Sequence, residues 1–88
     1  MENKIIAKIS PIALLQTVYI WTEKGREQFE FNIQELPKKL TILANQFQIK
    51  DIDLIGSEAY LLKIKNDIVN SKFANQVLNV TINRAKGE

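Results

Sequence analysis

Residues 15–31 read LQTVYIWTEKGREQFEF, and this stretch decides how the first half of the chain folds. Its two arms are rich in β-branched and aromatic residues, and a short polar segment separates them, which predicts two antiparallel strands joined by a tight turn. Gly25 can adopt the positive φ that such turns favour. With Lys24-Gly25 at the centre of the turn, we expect Trp21 to lie opposite Gln28 and Tyr19 opposite Glu30.

This pairing gives the predicted hairpin two unlike faces, because successive side chains of a strand point to opposite sides. The apolar face carries Val18, Ile20, Phe29 and Phe31, whereas the other face carries Thr17, Tyr19, Trp21, Gln28 and Glu30. If helices cover the apolar face, the tyrosine and the tryptophan lie on an uncovered face of the sheet.

The residues before the hairpin predict a further strand over 4–9, which Ser10-Pro11 ends because proline cannot donate to the strand ladder. One side of this strand is apolar and consists of Ile5, Ala7 and Ile9, and the other side consists of Lys4, Ile6 and Lys8. The turn does not fix the register, so either set can share a face with Trp21.

The second half of the chain alternates helices and strands. We expect a helix over 33–48 with Asn32 as its cap and Pro37 in its first turns, a strand over 51–55, a helix that begins after Gly56-Ser57, and a strand over 77–82. Core-facing residues recur at helical spacing in both helices: Leu36, Leu40, Leu43 and Phe47 in the first, and Leu61, Ile64 and Ile68 in the second.

The resulting order of elements is β-β-β-α-β-α-β within a single domain over residues 1–88. The strand–helix–strand series requires parallel pairing with right-handed crossovers, while the hairpin is antiparallel. We therefore predict an α+β fold with a five-stranded mixed sheet and both helices on one face.

Composition excludes several kinds of chemistry. The 88 residues include no cysteine and no histidine, which removes disulfides, thiolate nucleophiles, Cys/His zinc sites and histidine acid–base catalysis. A net charge of +2 is too small to indicate nucleic-acid binding by itself. No signal peptide and no apolar run of membrane-spanning length is expected, so we predict a cytoplasmic protein. Isoleucine, lysine and asparagine supply 13, 10 and 8 residues, which indicates an AT-rich source such as a low-GC bacterium or its phage.

Element for element, the predicted order resembles the core of the ribonuclease H-like fold, which also underlies actin-like ATPases, resolvases and transposase catalytic domains. Enzymes of this fold hold two metal ions with carboxylates, the first of them on the opening strand. Here the opening strand carries Lys8 and no acid, and Asp51 and Asp53 lie at the start of their strand rather than at its carboxyl end. Glu58 is better placed but stands alone. We therefore expect no catalytic site, no bound metal and no cofactor.

Tyr19 and Trp21 are the leading candidates for a binding site, with Thr17, Gln28 and Glu30 beside them on the same predicted face. Tyrosine and tryptophan are frequent anchors of protein interfaces. One interpretation is a small binding or adaptor protein that acts on a protein partner or as a homodimer. The alternative function is weak, sequence-independent binding of single-stranded nucleic acid, with Lys4, Lys8 and Arg26 as phosphate contacts. A purely structural role remains open, in which Trp21 roofs the hairpin and packs against Gln28 and lysine stems.

Overall fold

A computed structural model of the chain describes residues 3–10, 12–72 and 77–84, without the side chains of Glu58 and Arg84. It contains the elements β1 (Lys4–Ile9), β2 (Leu15–Thr22), β3 (Gly25–Asn32), α1 (Leu36–Phe47), β4 (Asp51–Gly56), α2 (Glu58–Val69) and β5 (Asn79–Arg84). This order of elements confirms the predicted β-β-β-α-β-α-β succession.

The five strands form one sheet in the order β3-β2-β1-β4-β5. β2 is antiparallel to both β1 and β3, because these strands follow one another in the chain with no crossover helix between them. β4 is parallel to β1 and to β5, since a helix lies in each of these crossovers. The prediction of an α+β fold with a mixed five-stranded sheet is confirmed.

The register of the hairpin differs from the prediction by two residues. Trp21 lies opposite Arg26 rather than Gln28, and Tyr19 lies opposite Gln28 rather than Glu30. The turn is centred on Glu23-Lys24, and the Thr22 hydroxyl helps to close it by accepting a 3.2 Å hydrogen bond from the Lys24 N–H. Gly25, with φ of +125°, follows the turn instead of forming its centre. Because the shift is an even number of residues, every side chain keeps its predicted face.

Helix α1 begins three residues later than predicted, at Leu36 rather than Ile33. The Glu35 N–H donates to the Asn32 side chain at 3.0 Å, so Asn32 caps a turn that precedes the helix instead of the helix itself. Pro37 lies at the first or second helical position, where its missing N–H costs nothing. Ser57 occupies the N-cap position of helix α2, but its side chain makes no capping hydrogen bond.

Both helices cover the same face of the sheet. The buried core joins helix residues to one side of four strands: Ile5, Ala7, Ile9, Val18, Ile20, Ile52, Leu54 and Val80 from the sheet, and Leu36, Leu40, Leu43, Ala44, Leu61, Ile64 and Ile68 from the helices, with Ile49 between α1 and β4. Phe29, Phe31 and Phe47 are partly buried and pack against this core. The predicted core-facing residues of both helices are therefore confirmed. Within the residues that the structure describes, no helix is long and apolar enough to cross a membrane.

Candidate functional site

The side of the sheet opposite the helices is here called the open face. The strand registers assign to it Arg26, Gln28 and Glu30 of β3, Thr17, Tyr19 and Trp21 of β2, Lys4, Ile6 and Lys8 of β1, Asp51, Asp53 and Ile55 of β4, and Asn79, Thr81 and Asn83 of β5. All eight residues that the sequence predicts for a binding site lie on this face.

The structure settles which side of β1 belongs to the open face. Lys4 lies opposite Trp21, Ile6 opposite Tyr19, and Lys8 opposite Thr17, whereas Ile5 and Ala7 are fully buried beneath the helices. The sequence left this choice open because the β1–β2 connection is longer than a hairpin turn. The consequence is that two lysines flank the aromatic pair.

Tyr19 and Trp21 are held by cations from both neighbouring strands. The Arg26 guanidinium carbon lies 5.0 Å from the centroid of the Tyr19 ring and 5.7 Å from that of Trp21. On the other side, the Lys8 ammonium lies 5.4 Å from the Tyr19 centroid. Distances of this size permit cation–π attraction, and directly opposite and diagonal cross-strand neighbours bring the groups together. Each ring therefore has at least one cation over it, and Trp21 keeps 36% of its surface exposed.

The structural role considered for Trp21 also changes with the register. Arg26, and not Gln28, lies directly across from Trp21 and over its ring. Gln28 lies beside Tyr19. Trp21 and Tyr19 therefore share one cation, and Trp21 belongs to a cluster with Tyr19 and Arg26.

Acidic side chains lie on the same face and balance its basic ones. Lys4 forms an ion pair with Asp53, with 2.8 Å between Nζ and Oδ2. Glu30 lies opposite Thr17, and Asp51 accepts a 3.2 Å hydrogen bond from the Asn79 amide. The described open face thus carries three basic and three acidic side chains, and its formal charges cancel. They are Lys4, Lys8 and Arg26, and Glu30, Asp51 and Asp53.

The three glutamates of the hairpin, Glu23, Glu27 and Glu30, lie in different places relative to the aromatic pair. Glu27 lies opposite Ile20 on the helix-covered side, and Glu23 lies in the turn. Of the three glutamates, only Glu30 lies on the open face.

The acidic residues do not form a recognisable metal site in the described part of the chain. Among those residues, no group of three or more His, Cys, Asp or Glu side chains is arranged to hold a metal ion. Asp53 is engaged with Lys4, and Asp51 with Asn79. The side chain of Glu58, the remaining candidate acid, lies outside the described part of the structure.

An apolar loop between β1 and β2 was missed by the sequence analysis. Ile12 and Leu14 are 94% and 91% exposed, and Leu15 is 51% exposed. The signal that could have revealed this loop is the run of apolar residues directly after Pro11, where a turn would ordinarily be polar.

This loop is held by Gln16, a buried polar side chain that is only 1% exposed. Gln16 Oε1 accepts from the Ser10 N–H at 2.6 Å, and Gln16 Nε2 donates to the carbonyls of Ser10 and Ala13, both at 3.0 Å. The loop is therefore shaped from within by one amide, and its apolar side chains point outward.

No protein-family model matches this sequence, and no curated protein matches it. The functional conclusions that follow rest on the residues and their geometry.

Proposed function

We propose that this chain is a small non-enzymatic binding or adaptor protein that acts through its open face, on a protein partner or as a homodimer. Trp21 and Tyr19 are the anchors of this interface, and Thr17, Gln28 and Glu30 surround them. The observation that supports the proposal most directly is the arrangement of both rings under Arg26 on the side of the sheet that neither helix covers.

Two physical properties make such a surface suited to binding. Arg26 and Lys8 already contact the rings, which lowers the conformational entropy that the rings lose when a partner immobilises them. Tryptophan, tyrosine and arginine are also the residues most enriched among interface hot spots. The cancelling charges around them favour a protein partner of mixed charge over a polyanion.

The chain has no catalytic residues, metal or cofactor in this proposal. Its resemblance to the ribonuclease H-like core is of element order, and we propose that it uses such a scaffold for binding alone. A cytoplasmic location in a low-GC bacterium, or in the host cell if the protein is encoded by a phage, completes the proposed setting.

The test compares Trp21→Ala with a matched aromatic substitution elsewhere. Tyr60 on α2 is 43% exposed and lies on the helix-covered side, so Tyr60→Ala removes a similarly exposed ring far from the open face. Light scattering on a sizing column, at two loading concentrations, measures self-association. Capture from a low-GC bacterial lysate, washed at low and high salt, measures binding to other proteins.

We expect Trp21→Ala to weaken the observed interaction at least tenfold, as about 1.4 kcal/mol of a hot-spot contact would give. Tyr60→Ala should leave the interaction unchanged. If Trp21→Ala alters neither self-association nor any captured partner, the open face is not the binding surface.

Single-stranded nucleic acid is the second candidate ligand, and the cations over Tyr19 favour it. Lys8 and Arg26 lie over the Tyr19 ring, and proteins that bind single strands combine such cations with aromatic side chains. Glu30 and Asp53 on the same face oppose phosphate, and Lys4 is already paired with Asp53. Binding of a labelled oligothymidylate that falls steeply with salt and is lost in Arg26→Gln would support this candidate over a protein partner.

A further inference from the structure

Strand β5 forms one edge of the sheet, and its sequence reads almost the same in both directions. Residues 79–83 are Asn-Val-Thr-Ile-Asn, with Thr81 at the centre, a β-branched apolar residue on each side, and an asparagine at each end. A strand with this symmetry is complementary to a second copy of itself when the two run antiparallel.

The backbone of β5 has the orientation that such pairing needs. The Asn79 N–H donates to the Lys50 carbonyl at 2.8 Å, so Asn79 directs its backbone groups toward β4. Because these directions alternate along a strand, Thr81 and Asn83 also direct theirs toward β4, and Val80 and Ile82 direct theirs outward. Within the described residues, no strand pairs with this outer edge.

We propose that β5 pairs antiparallel with β5 of a second copy of this chain, around a two-fold axis that passes between the two Thr81 residues. Val80 then lies opposite Ile82 of the second copy, and each such pair exchanges both of its N–H···O bonds. The two Thr81 side chains meet in the closer, non-hydrogen-bonded type of pair, where threonine pairs are favourable. Asn79 lies opposite Asn83 of the second copy, so the amides can bond to each other.

The other edge of the sheet is unsuited to the same pairing. β3 carries Arg26, Glu27 and Glu30, and charges on an edge strand oppose edge-to-edge association. Residues 79–83 of β5 include no charge and no proline. The contrast favours β5 as the edge that a second copy occupies, and an isologous contact of this kind closes after two copies.

The two-fold axis is perpendicular to the sheet. Antiparallel pairing of two identical edges reverses the strand direction, but the open face of each copy stays on the same side of the sheet. The dimer therefore has one continuous sheet, with both open faces on one side and all four helices on the other. This interface is separate from Trp21 and Tyr19, so the inference goes beyond the proposed function and does not depend on it.

The experiment uses charge complementarity at the residue on the axis. Thr81 is exposed, so Thr81→Lys and Thr81→Glu should fold as the wild type does, which thermal unfolding by circular dichroism verifies. Each variant alone places two like charges directly opposite one another. We expect each to weaken self-association by roughly five- to tenfold in sedimentation velocity over a concentration series. An equimolar mixture of the two should recover a dimer at least as stable as the wild type.

The mixture is the decisive measurement, since only a pairing centred on residue 81 brings the two substituted residues together. Gln46→Lys adds the same charge at an exposed position of helix α1, on the other side of the sheet from the open face, and it should leave association unchanged. A wild-type protein that stays monomeric at the highest attainable concentration would overturn the proposal. A dimer that responds to Trp21→Ala and to neither Thr81 variant would also overturn it, and would place self-association on the open face instead.

Discussion

Replacing Gln16 with leucine should destabilise the protein more than its position near a loop suggests. Leucine has a similar size, so the substitution leaves the packing of β2 nearly intact and removes the amide. The three hydrogen bonds from this side chain to Ser10 and Ala13 are lost together. The perturbation therefore isolates the internal hydrogen bonding of the β1–β2 loop.

The expected cost follows from these contacts. An intramolecular hydrogen bond contributes about 1 kcal/mol net, so three bonds amount to about 3 kcal/mol. Two effects reduce this figure. The Ser10 carbonyl keeps a 3.3 Å hydrogen bond from the Ala13 N–H, and a buried leucine gains apolar contact that the amide lacks. We expect the free energy of unfolding to fall by about 2–3 kcal/mol, out of the roughly 4–13 kcal/mol typical of a domain this size.

Urea unfolding followed by tryptophan fluorescence measures this loss, because the chain has a single tryptophan. Gln28→Leu is the matched control, because Gln28 is the same residue type and lies exposed on the neighbouring strand. This substitution should change the free energy of unfolding by less than about 0.5 kcal/mol. If Gln16→Leu lowers the free energy of unfolding no more than Gln28→Leu does, the Gln16 amide does not hold the loop. The amide would then not explain why the apolar side chains of the loop point outward.

Two further predictions concern single contacts. Gly56 has φ of +153°, and an added Cβ would collide with the Ile9 carbonyl oxygen, so Gly56→Ala should lower the free energy of unfolding by at least about 2–3 kcal/mol. Gly25→Ala, at φ of +125° with open space around it, should cost only about 1 kcal/mol in the same urea assay; equal costs would refute the steric explanation. Asp53→Asn removes the ion pair with a 43%-exposed Lys4 and should cost under about 1 kcal/mol, a difference that shrinks in high salt. A cost that salt leaves unchanged would assign the effect to packing.

The faces of the hairpin could be predicted from sequence because they depend only on alternation. Val18 and Ile20 alternate with Tyr19 and Trp21, and any register that differs by an even number of residues assigns the same faces. The register itself could not be predicted, since a Thr-Glu-Lys-Gly turn and a Glu-Lys-Gly-Arg turn both satisfy the local rules. The Thr22 hydroxyl bond to the Lys24 N–H favours the first of these, and a propensity argument does not weigh that bond.

The composition of the candidate site was predictable, but its contacts were not. Arg26 contacts both rings because of the register in which β3 pairs with β2. Lys8 contacts Tyr19 because of the register in which β1 pairs with β2. Gln16 was not recognised because a glutamine in a strand is ordinarily exposed. Gln16 points to the same side of β2 as Val18, and only this position in the sequence indicates that it is buried.

Pairing through β5 would change what the open face can do. Seven strand spacings separate the two copies of β2 in the proposed ten-stranded sheet, which sets the two aromatic clusters about 34 Å apart along the same side of a twisted sheet. Two identical sites at a fixed distance favour a partner that is itself repeated, because the second contact forms at a high effective concentration. Each site can then be weak, as one small face with cancelling charges would be, and still hold an extended or multimeric partner firmly. If both proposals hold, the open face would supply the contact with the partner and the β5 edge would supply the second copy of that contact.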